Sequence, residues 1–516
     1  MRRYLISAVC GALLLSPLSL AAQEFPVNTS KVGLQICPAV VANPEGGYLV
    51  LFGSVTSGLP GGRPGVLAQR FGLSGERIGA ELTLDATTSF TCLVAVPAGP
   101  GRVLVVWGEQ SQADVTQQAV RARFVDFQGA PLGPRFQIGE GSPYSAPGAA
   151  CDAEGNCWVG WLRQGTTSIR ARRFNLSGQP LGEEIRLDSP GDEGERWDIE
   201  LTADGQGGFI ASWWLGNTET GPPEVPLPPP NGQIRIRRVS ATGVLSEEIA
   251  IDPADTTYAY RDGATCPAPG GGFFAALARV RVDQDAPAEL LLRRYDASGA
   301  PTGPARIVAA TETPHFIYNS IGNLVLDCGA DRLLLTWIEN EGVRTSMSGR
   351  LFNLSGEPMG APFPIAEPTG RGTAALGGPD RFLAVWQTAP PSEAYDLVGR
   401  TFRTTANPLS LHGGRFQVEA TFRDPRTRVL APANPKPLTD DTGLFWFFDD
   451  SNLELVVKTL DACEVNGHFW VFAAGLTDVE AVITVTDTVS GDWQTYRNPP
   501  RTAFLPIQDT RAFDCP

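Results

Sequence analysis

His315 and Tyr318 in ETPHFIYNS, with Tyr258, Tyr260 and Arg261 in ADTTYAYRDG, are residue types that can cleave an acidic polysaccharide by elimination. An arginine neutralises the uronate carboxylate. A tyrosine or histidine then removes the neighbouring proton and returns one to the leaving oxygen. If the chain is a lyase, these five are its candidate catalytic residues. A second set suits recognition without catalysis: Tyr144 in GSPYSAPG, Glu193, Arg196 and Trp197 in SPGDEGERWDIE, and Arg371 in EPTGRGT. Aromatic faces stack on sugars or peptides, and arginine grips carboxylates through paired hydrogen bonds. Glu193, Glu195 and Asp198 also suit a hydrolase, but carboxylates discriminate little in a chain of net charge −15. No fixed spacing joins any of these residues into a motif. Of the three histidines, His412 and His468 fall in or beside a separate C-terminal segment.

The elements that hold these residues follow a repeat. Seven apolar runs open on Gly or Asp: GGYLVLF (46–52), GRVLVVW (101–107), GNCWVGW (155–161), GGFIASW (207–213), GGFFAAL (271–277), DRLLLTW (331–337) and DRFLAVW (380–386). After a polar loop, a second strand ends in a glycine turn, as in RRFNLSG, LRRYDASG and GRLFNLSG. The turn glycines are Gly75, Gly129, Gly178, Gly243, Gly299 and Gly356. A weaker strand such as ELTLD follows, then a semi-apolar one leads into the next unit. Four strands per unit, at a period of roughly 50 to 60 residues, is the pattern of a β-propeller. The seventh unit, GRTFRTTANPL, lacks its outer strand, and EFPVNTS (24–30) reads as that missing strand. The fold expected is all-β: a seven-bladed β-propeller with the N-terminal strand closing the last blade, followed by a small antiparallel β-sandwich. Loops entering the innermost strands should converge on one end of the channel, where binding sites form.

The pattern GGF-V-V-W, long loop, Q-R-F-x-x-x-G-x-P-x-G resembles propeller-type repeats of bacterial secreted proteins over residues 24 to about 408. That resemblance implies the fold and leaves the activity open. From about Leu411, the phrases FWFFDDSNLELVVK and NGHFWVFAAGLTDVEAVITVTDT are similar to a C-terminal module common on secreted bacterial proteins, which implies secretion and surface or matrix association.

The start of the chain reads as a leader. Arg2 and Arg3 precede the apolar run LISAVCGALLLSPLSL, and Ser19-Leu20-Ala21 suits cleavage near Ala21 or Ala22. The expected division is a signal peptide over 1–22, a propeller over 23–409 and an Ig-like sandwich over 410–516. The expected location is outside the cytoplasm, extracellular or periplasmic, with no membrane span and a monomeric state. The acidic balance argues against nucleic acid or an anionic membrane as partner. Eight cysteines remain beyond the leader. Their repeat positions favour the pairs Cys37–Cys92, Cys151–Cys157, Cys266–Cys328 and Cys463–Cys515, all structural. No cofactor is expected. Asp440, Asp441, Asp449 and Asp450 could supply oxygen ligands for calcium, although their spacing matches no calcium loop.

The preferred functional reading is a secreted, non-catalytic binding or surface-interaction protein whose loop face meets a glycan or protein ligand. The alternative is a carbohydrate-active enzyme, foremost a lyase on acidic polysaccharide. Convergence of His315, a tyrosine and Arg261 in one pocket would separate the two.

Overall fold

The computed structural model describes residues 24–515, except 57–61, 87–89, 111–117, 142–145, 192–193, 217–231, 252–256, 283–286, 312–318, 342–343, 361, 368, 378–380, 389–394, 404–407, 424, 426–429, 450 and 491. The expected signal peptide and the proline-rich insertion of the fourth unit therefore lie outside the described residues, the latter apart from its ends.

The described chain is built almost wholly of antiparallel strands. Seven sheets of four strands account for the repeat. The first runs Leu34–Ala42, Tyr48–Val55, Gly65–Phe71 and Arg77–Asp85. The next five repeat that order. The seventh takes Thr369–Leu376, Arg381–Thr388 and Leu397–Arg403 from its own unit and Phe25–Pro26 from the N-terminus. Phe25 pairs with Gly399 and Pro26 with Val398. The innermost strand of each sheet packs against that of the next, and the first packs against the seventh, which gives a closed, propeller-like ring.

Burial explains why the units repeat. Among the described residues, one apolar cluster fills each gap between neighbouring sheets. The tryptophans that end the apolar runs, Trp107, Trp161, Trp213, Trp337 and Trp386, are all buried there. The cluster at the seam joins Val27, Tyr48, Phe52 and Phe71 to Leu383, Val385 and Leu397. Its apolar area offsets the cost of joining chain segments more than 300 residues apart.

The phrase RRFNLSGQPLG recurs for a local reason. In its turn the Asn175 side-chain oxygen accepts the backbone N–H groups of Ser177 and Gln179. Asp126, Asp296 and Asn353 do the same in their units. Ten residues after the first arginine, a glycine carbonyl accepts its Nε–H: Arg123 to Gly133, Arg172 to Gly182, Arg293 to Gly303 and Arg350 to Gly360. The turn glycine is held by conformation and space together. Gly178 has φ of 73°, and a Cβ there would lie 2.6 Å from the Phe136 ring of the preceding sheet. At the seam, Gly75 meets the ring of Phe25 in the same way.

The C-terminal segment forms two five-stranded sheets around one core. One contains Leu409–Leu411, Phe416–Arg423, Ala481–Asp487 and Trp493–Asn498. It lies against the outside of the ring. The Arg350 guanidinium sits 4.3 Å from the Trp493 ring centre. Burial, with Arg306 nearby, lowers the pKa of Arg350 to about 10. Glu419 faces the backbone at Gly360 and has no hydrogen-bond partner among the described residues. Burial pushes its carboxyl up to about 7.

All four expected cysteine pairs are bonded: Cys37–Cys92, Cys151–Cys157, Cys266–Cys328 and Cys463–Cys515. Cys151 and Cys157 face each other across a hairpin. No helix among the described residues is long and apolar enough to cross a membrane.

Candidate functional site

An innermost strand lined by apolar neighbours on both sides has no reason to aim polar groups inward unless its alternation is broken. It is broken at equivalent points in six of the seven sheets. Register shifts fall between Ile36 and Ala39, Phe90 and Leu93, Trp197 and Glu200, Tyr260 and Asp262, Gly322 and Val325, and Thr369 and Gly372. A β-bulge inserts an extra residue and re-aims side chains. Cys37, Asp198 and Asn323 hold φ of 50°, 52° and 49° at these points. Such values are uncommon for residues with a Cβ, and they mark places where surrounding structure imposes the conformation.

The bulges place one tier of polar groups around the channel. Cys37 and Cys92 close one side as a disulfide. Arg371 Nη1 donates to Cys92 Sγ at 3.8 Å. Across from it, Asp198 feels the Arg371 charge. Asp198 remains open to solvent, yet protein surrounds it, so its carboxyl is raised by burial, with Arg371 opposing the shift. Asp262 is pushed up to about 7, first by burial and then by the Asp198 carboxylate. It accepts the N–H of Gly263 at 2.8 Å and of Leu324 at 3.1 Å, the latter on the next sheet. Glu200 is also pushed up to about 7, chiefly by burial, with Asp262 and Asp198 adding to it. Its Oε2 accepts the N–H of Thr265 at 2.6 Å, again on the next sheet. Asn323 accepts from Gly372 N at 2.9 Å and Asp327 from Leu376 N at 2.6 Å. Most of the tier thus ties one innermost strand to the next. Asp198 and Arg371 are the two charged members that remain turned to solvent.

This arrangement can move protons. Crowded carboxyls cannot all ionise, so their pKa values spread and one retains its proton near neutrality. Arg371 favours the ionised form of Asp198 in particular.

The described residues hold only part of the expected lyase set. His315 and Tyr318 lie outside the described residues, as do Tyr144 and Glu193. Tyr260 is 2% exposed and packs with Trp214, Ile234 and Phe273 between the fourth and fifth sheets, so it cannot reach substrate. The alternation of a strand that already starts at Tyr258 turns it inward. Tyr258 lies half-buried at the strand's start with the Arg279 guanidinium 3.7 Å from its ring centre. Arg261 occupies the bulge of the fifth sheet. Arg196 is buried and spent on structure: its guanidinium lies 3.4 Å from Asp188 and donates to Thr167 Oγ1 and to the Gly194 carbonyl. Trp197 is half-buried and donates through Nε1 to Glu195. Arg371 is where a ligand could meet it.

The tail aspartates are occupied by protein donors. Asp441 accepts from Thr439 and Thr442 and pairs with Lys458 at 3.1 Å. Asp440 accepts from Gly413 N, and Asp449 closes a turn with Ser451. None of these three falls in a set of ligand atoms close enough to share an ion, among the described residues, and Asp450 lies outside them. Sequence reasoning missed Glu200 and Asn323. The signal was present in RWDIELT, where Asp198 and Glu200 alternate with the apolar Trp197, Ile199 and Leu201.

No protein-family model and no curated protein matches the chain. Among solved structures, it is similar to the Penicillium chrysogenum alpha-L-arabinanase complexed with arabinobiose, at 11% identity over 75% of this chain and 99% of that one, with a TM-score of 0.43. It is similar to a protein of unknown function from Dyadobacter fermentans, at 11% identity over 75% and 99%, with a TM-score of 0.41. It is also similar to an arginine-to-alanine mutant of AofleA from Arthrobotrys oligospora, at 13% identity over 67% and 92%, with a TM-score of 0.38. At these identities and TM-scores the likenesses say nothing of the chemistry in the channel.

Proposed function

We propose that residues 23–409 form a seven-bladed β-propeller behind a cleaved leader, that residues 410–516 form a β-sandwich, and that the secreted protein is a carbohydrate-active enzyme working at the channel mouth. The observation that carries this reading is the bulge-held cluster of Asp198, Glu200 and Asp262, with the Arg371 charge acting on Asp198. Hydrolysis of a glycosidic bond needs one carboxylic acid to protonate the leaving oxygen and one carboxylate to take a proton from water. Asp262, protonated up to about pH 7, is the acid. Asp198, the carboxyl turned to solvent within reach of the Arg371 charge, is the base. Glu200, anchored on the Thr265 N–H of the next sheet, is a positioning residue. Half-buried Trp197 and Tyr258, at the entrance ends of their strands, offer apolar faces to a sugar ring.

This hydrolytic reading is preferred to elimination because Tyr260 is buried. The test is a screen of neutral and acidic polysaccharides for new reducing ends, with absorbance at 235 nm recorded in parallel. Reducing ends that vanish in Asp198→Asn support the proposal. Unsaturated products point to the lyase instead. Binding without turnover restores the non-catalytic reading.

A further inference from the structure

The third, fourth and fifth sheets differ at one place. In the third and fourth sheets, the second arginine of the RR pair is neutralised from the turn between the first two strands. Arg173 Nη2 lies 2.7 Å from Asp152, and Arg238 Nη2 lies 3.0 Å from Asp204. Asp152 and Asp204 occupy equivalent positions, because the N–H of each closes its turn on the residue four further on. In the fifth sheet the N–H making that bond belongs to Ala268. Arg294 therefore has no carboxylate partner among the described residues. It donates instead to the Pro269 carbonyl at 2.7 Å and lies 5.7 Å from the Phe274 ring centre.

A cavity of about 820 Å³ opens at this spot, lined by Pro269, Phe274, Arg293, Arg294, Thr302 and Arg306 among others. Three arginines line it in a chain of net charge −15. Arg306 pairs with Glu357, and the Asp296 carboxylate is taken up by its own turn. The cavity lies at the turn end of the strands, away from the channel mouth, where Pro269–Gly272 joins the first and second strands.

We infer that this cavity is a second binding site, for a carboxylated sugar of the hexuronic-acid class, whose carboxylate takes the place against Arg294 that Asp152 and Asp204 take in the neighbouring sheets. A guanidinium recognises a carboxylate through parallel N–H donors, and removing the built-in acid frees them for a ligand. The cavity is of the size of small-molecule sites. Backbone carbonyls of its glycine- and proline-rich turns, with the Ser355 hydroxyl, suit a polyhydroxy ligand.

The test is calorimetric titration of the mature protein with glucuronate, glucose and acetate. Saturable glucuronate binding is expected, with glucose silent and acetate weaker. Ala268→Asp supplies the missing internal carboxylate and should weaken glucuronate binding at least tenfold without lowering the melting temperature. Asp198→Asn should bind as the wild type does, which keeps this site distinct from the channel. Glucose binding as well as glucuronate, no glucuronate binding, or unchanged binding in a folded Ala268→Asp would each overturn the inference. Acetate binding as tightly as glucuronate would overturn its sugar component.

Discussion

Replacing Glu419 by glutamine should stabilise the protein at pH 8 and much less so at pH 5. Glu419 is buried where the C-terminal sheets meet the ring, without a hydrogen-bond partner among the described residues, and its carboxyl is raised to about 7 by burial alone. In the unfolded chain a glutamate titrates near 4.3. Between those values the folded state binds the extra proton, so stability falls as pH rises through that window and is flat above it. At about 1.4 kcal/mol per unit, the full penalty is about 3.7 kcal/mol. Solvent reaches one side of the residue, which trims this to about 2 to 3 kcal/mol. Glutamine cannot ionise and keeps the shape of the neutral acid. The assay is urea unfolding of wild type and Glu419→Gln at both pH values. Working with the difference removes the parallel contributions of Glu200 and Asp262. An equal difference at pH 5 and pH 8, or destabilisation at pH 8, would refute the reasoning.

Other perturbations follow from packing. Cys463→Ser with Cys515→Ser opens a loop of 52 residues and should cost the C-terminal sheets about 4 kcal/mol in denaturant unfolding, by loop-closure entropy. Removing Cys151–Cys157, six residues apart and already joined by a hairpin, should cost about 2 kcal/mol in the same assay. Gly178→Ala meets both a φ of 73° and the Phe136 ring, and should lower stability by about 1 to 3 kcal/mol in thermal melts.

The ring was legible because its rules are local and repeated. RRFNLSG encodes an Asn-centred turn, an arginine-to-glycine bond and a glycine packed on the preceding sheet, and each copy restates them. EFPVNTS was readable as the missing strand because the seventh unit lacked one, and Phe25 takes that place against Gly399. The cysteine pairs were readable because equivalent strand positions are neighbours in space. The site was less legible because a bulge is set by backbone packing. Whether Asp198 faces the channel depends on one inserted residue, and a slip of one residue exchanges the two faces of a strand. Arg196 and Tyr260 looked like loop residues, but strands begin before them and turn them towards Asp188 and the core. The missing acid at Ala268 became meaningful once Arg173 and Arg238 were seen with their aspartates.

The central claim is that the channel carboxyls move protons for glycoside cleavage. Its most direct test is the pH dependence of turnover on whichever polysaccharide the screen identifies, for wild type, Asp262→Asn and Asp198→Asn, with melts to confirm folding. The wild type should lose rate above about pH 7 as Asp262 gives up its proton. Asp262→Asn should lack that limb and be slower by a factor of about 100 or more. A wild-type rate and pH profile retained in both folded variants would contradict the account.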